Sequence, residues 1–211
     1  MKAKETNAQM TFKTIAPSIL YLGTPVVLIT TIDDAGTTNI APISSAWATG
    51  RTFVLGVLAN SKTHQNLITQ KQCVLNFPDS SLHRQVEQIA QLTGMNPIPE
   101  MKKQQYQYSD HKFADGHFTK LRSDEVLPAR IAECPVQLEA EFKKALYIDD
   151  DPILPIATAA VVVRIIKIHA NEAIVRGDNH IDPATWKPLI YNFRHYFSLG
   201  EELGKSFKAE K

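Results

Sequence analysis

The sequence predicts a mainly β protein, an antiparallel β-barrel with peripheral helices, and three observations lead there. Short β-branched and aliphatic runs recur between residues 25 and 175 with turns between them, as in barrels. Helical spacing is confined to short stretches. A composition of 44% hydrophobic and 21% charged residues is that of an ordinary globular chain able to fill a core. Regular strand–helix alternation and a G-x-G-x-x-G loop are both missing, which weighs against a dinucleotide-binding Rossmann sheet.

The elements follow in order. Pro25 to Ile32 (PVVLITTI) is a strand ending at Asp33-Asp34-Ala35-Gly36, a turn whose glycine accepts positive φ. Thr37 to Ser45 returns at once, so the two form a hairpin. Arg51 to Leu58 and Lys71 to Phe77 are the next strands. Between them, Ser61 is an N-cap and a short helix runs from about Lys62, because a serine hydroxyl can accept a free N–H of the first turn. Leu82, Val86, Ile89 and Leu92 recur at helical spacing within Ser80 to Leu92. Thr93 to Arg130 is polar, carries Pro97, Pro99, Gly116 and Pro128, and has no strong period. So long an excursion in a compact domain is expected to be a lid or a dimer arm.

In Pro135 to Ala145, Val136, Leu138, Ala140 and Phe142 alternate with Gln137, Glu139, Glu141 and Lys143, which predicts one buried and one wet face. Ile156 to His169 is a second long strand and Glu172 to Val175 a short return. Gly177-Asp178-Asn179-His180 reads as a hairpin turn, and Asp149-Asp150-Asp151 as a solvated turn. The tail, Leu189 to Leu203, is rich in aromatic residues.

One domain spanning 1–211 suits this length. A net charge of +1 offers no global field for nucleic acid or an anionic membrane. The longest apolar run, Ile156 to Val163, is far short of the roughly 20 residues that span a bilayer. The start, MKAKETNAQMTFK, has no apolar leader core, so a cytoplasmic protein is expected. Cys73 and Cys134 are expected as buried free thiols. The seven histidines form no H-x-x-x-H or H-E-x-x-H spacing, and no metal site is expected. No G-x-S-x-G elbow is present.

Two segments can carry chemistry. At Ser61-Lys62-Thr63 with Asn66, free N–H groups, the positive end of a helix dipole, two hydroxyls and an ammonium would converge, which suits a phosphate monoester. Taken alone, this segment is better explained by a capping serine and a solvated first turn. From Asn39 to Trp47, the small polar residues Ser44, Ser45 and Ala46 leave backbone groups open for a planar heterocycle, with Trp47 as a wall. Ordinary strand hydroxyls and a packed aromatic are the plainer reading there.

The order of motifs adds to this. PVVLITTIDDAGTTNIAPISSAW, then SKTHQNL, then CVLNF, with ECPVQLEAEF, VVVRIIKI, GDNHID and PLIYNFRHYFSLGEEL later, resembles the flavin-reductase-like FMN-binding split-barrel family over about Tyr21 to Leu203. The resemblance implies an antiparallel Greek-key split barrel, and a homodimer with the flavin near its interface. It implies that Asn39, Ser44, Ser45, Ala46 and Trp47 lie along the isoalloxazine and ribityl chain, and that Ser61, Lys62, Thr63 and Asn66 hold the ribityl chain and phosphate of FMN. NADH or NADPH is the implied electron donor. No catalytic dyad is then needed, because the reactive centre is the cofactor's. The excursion is longer than in compact reductases and is a candidate lid over the flavin's open face. The resemblance implies an FMN-dependent oxidoreductase, an NAD(P)H:flavin reductase or a related flavoprotein oxygenase component. The competing readings are a non-enzymatic FMN-binding or electron-transfer protein, and a flavin-free interaction module.

Overall fold

The computed structural model describes residues 10–149 and 157–209. One antiparallel sheet contains β1 (Val27–Ile32), β2 (Thr38–Ile43), β3 (Ala46–Thr49), β4 (Thr52–Leu58), β5 (Gln72–Phe77), β6 (Val136–Ile148) and β7 (Thr158–Ala170). Their spatial order is β2-β1-β5-β6-β7-β4-β3. The two edge strands, β2 and β3, are neighbours in sequence with only Ser44 and Ser45 between them. The curled sheet is therefore joined at one corner by the chain itself, which makes a split barrel.

The β1–β2 hairpin forms as its sequence predicts. The Asp33 carboxylate accepts from the N–H groups of Ala35 and Thr37, and Gly36 sits at φ 80°. Alternate residues fill the barrel: Val27 and Ile29, Leu55 and Val57, Cys73 and Leu75, Leu138, and Val161 and Val163 are all buried in one cluster. Each such aliphatic side chain contributes roughly 1.5–3 kcal/mol by leaving water. Cys73 lies inside this cluster and Cys134 in another, both free and buried, and burial pushes the Cys73 thiol up to about 12.

The predicted helix before the excursion starts as a 3-10 turn, Ser80–Leu82, and continues as an α-helix, His83–Ala90. Val86 and Ile89 pack on the outer face of the barrel against Leu28 and Ile40, together with Phe113, Phe118 and Ile131. The excursion therefore lies on the barrel, with a helical turn at Lys112–Asp115 and short pairings of Leu92–Thr93 with Gln107–Tyr108 and Lys120–Leu121 with Arg130–Ile131.

This cover corrects the expected wet face of β6. Gln137 and Glu139 are buried, at 6% and 0% exposure. The Gln137 amide donates to the carbonyls of Ile131 and Cys134. The Glu139 carboxylate accepts from the N–H groups of Asp124, Glu125 and Val126 and pairs with His169 at 2.6 Å. Burial opposes its ionisation, but those backbone donors and His169 together hold its pKa below the ordinary value.

Glu172–Ile174 is a 3-10 turn where a strand was expected, and the pairing falls one step later, Val175–Arg176 with His180–Ile181 around Gly177. Asp150, Asp151 and Ile156 lie outside the described residues, so the acidic turn and the start of the second long strand are described only in part. The aromatic tail forms a hairpin, Ile190–Asn192 with His195–Phe197, that pairs with Leu22–Pro25 beside the barrel. Among the described residues, no helix is long and apolar enough to cross a membrane.

Candidate functional site

A cleft of about 790 Å³ opens between the Ser44-Ser45 kink, the start of helix α1 (Lys62–Gln70), the excursion and the aromatic tail. That volume is within the usual range for organic ligands. Its inner wall is Ala41, Pro42, Ile43, Val57 and Leu58, apolar and close to the barrel rim.

The kink depends on a glycine. Gly56 of β4 donates its N–H to the Ser45 carbonyl at 2.7 Å, and a Cβ at Gly56 would stand 2.7 Å from the Ser45 Cβ. Contact that close is closed to any other residue, so Gly56 fixes where the Ser45 hydroxyl points. That hydroxyl shares a hydrogen bond with the Tyr21 hydroxyl at 3.0 Å.

Helix α1 begins as the sequence predicts. Ser61 is the N-cap, its hydroxyl accepting from the His64 N–H at 3.2 Å. The capping reading of Ser61 therefore holds. It leaves the N–H groups of Lys62 and Thr63 without intrahelical acceptors, and no acidic residue stands in the first turn to compete for them. Thr63, buried and lining the cleft, accepts from the Asn39 amide at 3.2 Å, which leaves its own O–H to donate.

The nine sequence-predicted residues thus separate. Ser44, Ser45, Ser61 and Thr63 line the cleft. Asn39 reaches it only through Thr63, and Asn66 is buried beneath, donating to the Thr31 hydroxyl at 3.1 Å. Ala46 belongs to the barrel core. Trp47 is 58% exposed on the outer face and does not line the cleft, since it points to the opposite side of the strand from Ala46.

Lys62 turns away. Its ammonium pairs with Asp33 at 3.1 Å and lines a separate pocket of about 90 Å³ together with Asn39 and Lys112. Burial would raise the Asp33 pKa, but the Thr37 N–H and Lys62 outweigh it and keep the carboxyl below its ordinary value. Lys112 is 3% exposed and donates to the Ile40 carbonyl at 2.9 Å. Burial, reinforced by the nearby charge of Lys102, brings its pKa down to about 8.

Three other parts of the cleft carry no local sign in the sequence. Lys102, Gln105 and Tyr106 come from the excursion, and the Lys102 ammonium lies 5.0 Å from the centre of the Tyr106 ring. Burial lowers the Lys102 pKa, with no carboxylate offsetting it. Tyr21, Tyr191 and Tyr196 form an aromatic wall, with ring centres 5.2 and 5.6 Å apart, and Tyr196 donates to Glu87 at 2.9 Å. Arg194 stands on the rim. The aromatic tail is the one legible hint of this wall, and it covers Tyr191 and Tyr196 but not Tyr21.

Among the described residues one other group brings ligand atoms together, Asp124, Glu139 and His169, all within 4.8 Å. There the Glu139 oxygens already accept three backbone N–H groups and face His169, while Asp124 pairs with Lys167 at 2.6 Å. This group ties the excursion to the barrel.

A split barrel with an organic-ligand cleft at a helix mouth is the class that fold and site define. Residues 20–200 match the family described as Flavin reductase like domain, and the chain belongs to that family. It is 44% identical over 200 residues to the uncharacterized protein YdfE of Bacillus subtilis (strain 168), covering 94% of this chain and 95% of YdfE. Among solved structures, it is similar to flavoredoxin of Desulfovibrio vulgaris (Miyazaki F), with a TM-score of 0.75 at 20% identity, covering 96% of this chain and all (100%) of that one. Nitrilotriacetate monooxygenase component B from Bacillus cereus gives 0.72 at 17% identity, covering 93% and 100%.

Proposed function

We propose that this protein is an FMN-dependent oxidoreductase, an NAD(P)H:flavin reductase or a related flavoprotein oxygenase component, working in the cytoplasm as a homodimer. The observation that carries the reading is the cleft at the mouth of α1. The Thr63 N–H, which has no intrahelical acceptor, the Thr63 hydroxyl and the Lys102 ammonium line a volume large enough for a flavin, beside an apolar wall. Those donors suit a phosphate monoester. Ser44 and Ser45 offer hydroxyls where a heterocycle would lie against that wall, and Tyr21 orients the Ser45 hydroxyl.

The charge partner of the phosphate is Lys102 in this reading. Lys62 is held by Asp33 on the far side, whereas Lys102 enters the cleft from the excursion without a carboxylate partner. A bound flavin would supply hydride and electron transfer, with NADH or NADPH as donor. The chain's own residues bind and orient it, and the excursion shields one side from water.

Dimerisation is supported by the outer sheet face. Trp47, Val54 and Val162 are successive register partners there, and Leu146 and Ile148, 68% and 41% exposed, extend the same face. A second copy of this chain is the occupant in this reading, close to the Ser44-Ser45 kink.

The test is to purify the protein, record its visible spectrum, titrate FMN, and add NADH or NADPH anaerobically. Flavin absorption that bleaches with turnover supports the reductase. Bound flavin that does not bleach favours an electron-transfer protein, and failure to bind FMN overturns the flavin reading altogether.

A further inference from the structure

The hairpin between Ile190–Asn192 and His195–Phe197 has a two-residue turn, Phe193-Arg194, with Asn192 paired to His195. Both turn residues have positive φ, 43° and 68°. Two-residue hairpin turns need that geometry and ordinarily use Asn-Gly, because the left-handed region crowds the Cβ of a bulky side chain. Here the turn carries Phe and Arg instead, and such strain is found where a side chain is put to use.

Arg194 lines the cleft beside the tyrosine wall, close enough to Tyr191 to bear on its hydroxyl. Its guanidinium donates to the Ser18 hydroxyl at 3.3 Å, and among the described residues it makes no ion pair. The other charged groups on the cleft are Lys102, from the excursion, and Glu87, whose carboxylate is engaged by Tyr196. A guanidinium offers five donors in a planar fork, so most of its capacity faces outward unmet.

We propose that Arg194 recognises the anionic group of a planar organic molecule that shares the cleft with the flavin, the carboxylate or phosphate meeting the guanidinium and the planar part resting on Tyr21 and Tyr191. This rests on the flavin reading above. The phosphate of the flavin neutralises Lys102, which leaves Arg194 as the one uncommitted cation of the cleft. Aromatic faces and edges favour planar partners, and a bidentate guanidinium contact sets their orientation.

The experiment uses the FMN-loaded protein, with benzoate and its neutral isostere benzamide as probes, each titrated through the change in the flavin's visible spectrum. Benzoate is expected to bind at least about tenfold tighter than benzamide, the size of one charge-assisted hydrogen bond. In Arg194→Met that preference should collapse while FMN affinity stays within about twofold, since the flavin reading assigns the phosphate to Lys102; Arg194→Lys should restore part of it. Equal binding of the two probes by the native protein, no binding of either, or an unchanged preference in Arg194→Met would overturn the inference. FMN affinity is measured first and separately, so a chain that binds no FMN refutes the flavin reading, whereas one that binds FMN without the benzoate preference refutes the role of Arg194 alone.

Discussion

Replacing Lys102 by methionine is the sharpest test of how the cleft holds a phosphate, because sequence and geometry point to different lysines. Lys102 is half-buried, its ammonium lies over the Tyr106 ring, and burial depresses its pKa with no carboxylate to offset it. A hydrogen bond to a charged group contributes roughly 1.5–3 kcal/mol, and at about 1.4 kcal/mol per decade its loss should weaken FMN binding about 10- to 150-fold. Lys62 already has a partner. Its pair with Asp33 leaves both side chains about a fifth exposed, 22% and 21%, and pairs of that kind contribute roughly 0–1 kcal/mol. Lys62→Met should therefore weaken FMN binding by less than about fivefold. The assay is quenching of FMN fluorescence on titration with each protein, at low and high salt. A larger loss in Lys62→Met than in Lys102→Met would refute the assignment and return the phosphate to the lysine of the helix mouth.

Other outcomes follow from the same structure. Gly56→Ala should displace the Ser44-Ser45 kink and weaken FMN binding while the barrel still folds, since the added Cβ would stand 2.7 Å from Ser45; unchanged affinity would show that the kink does not shape the site. Glu139→Gln should lower unfolding free energy by about 3–5 kcal/mol in denaturant titrations, because an amide NH₂ would meet backbone donors. The folded pKa of Glu139 is depressed, so its contribution is present above its unfolded value and lost as pH falls through the folded one; the difference between native and variant should shrink in acid. Lys112 works in the opposite range. Its folded pKa, about 8, lies below the ordinary 10.5, so the native state binds fewer protons and Lys112 raises stability as pH climbs from 8 to 10. Buried Cys73 and Cys134, whose pKa values are raised, act the other way above pH 9 or so. The Lys112 effect is therefore read as native minus Lys112→Met, a difference expected to grow by up to about 1.4 kcal/mol per pH unit; a flat difference would show that folding does not depress the pKa of this amine. Trp47→Glu should yield a monomer in sedimentation velocity, and an unchanged assembly would move the interface off the outer sheet face.

What the sequence reveals of this protein is what short-range chemistry decides. A turn, a cap and an alternating strand are set by neighbours within a few residues, so the hairpin at Asp33–Gly36, the helix start at Ser61 and the main strands other than Ala46–Thr49 are legible, with Val136–Ile148 running on past the predicted end at Ala145. The cleft was legible only where such a local signal also lines it, at Ser44, Ser45, Ser61 and Thr63. Lys62 shows the limit: a first-turn ammonium can swing to either side of the helix, and the choice is made by Asp33, 29 positions earlier, which no local pattern contains. Glu139 shows it again from the opposite side. Strict alternation marks a wet strand face, yet the backbone donors of residues 124–126 fold down over that face and turn a surface carboxylate into a buried anchor. The second error comes from the excursion at 93–130, whose lack of periodicity hides its elements while its backbone donors reach the strand beneath it. In a protein whose barrel is specified locally, the segment that reads as unstructured brings Lys102 to the cleft and buries Lys112 and Glu139.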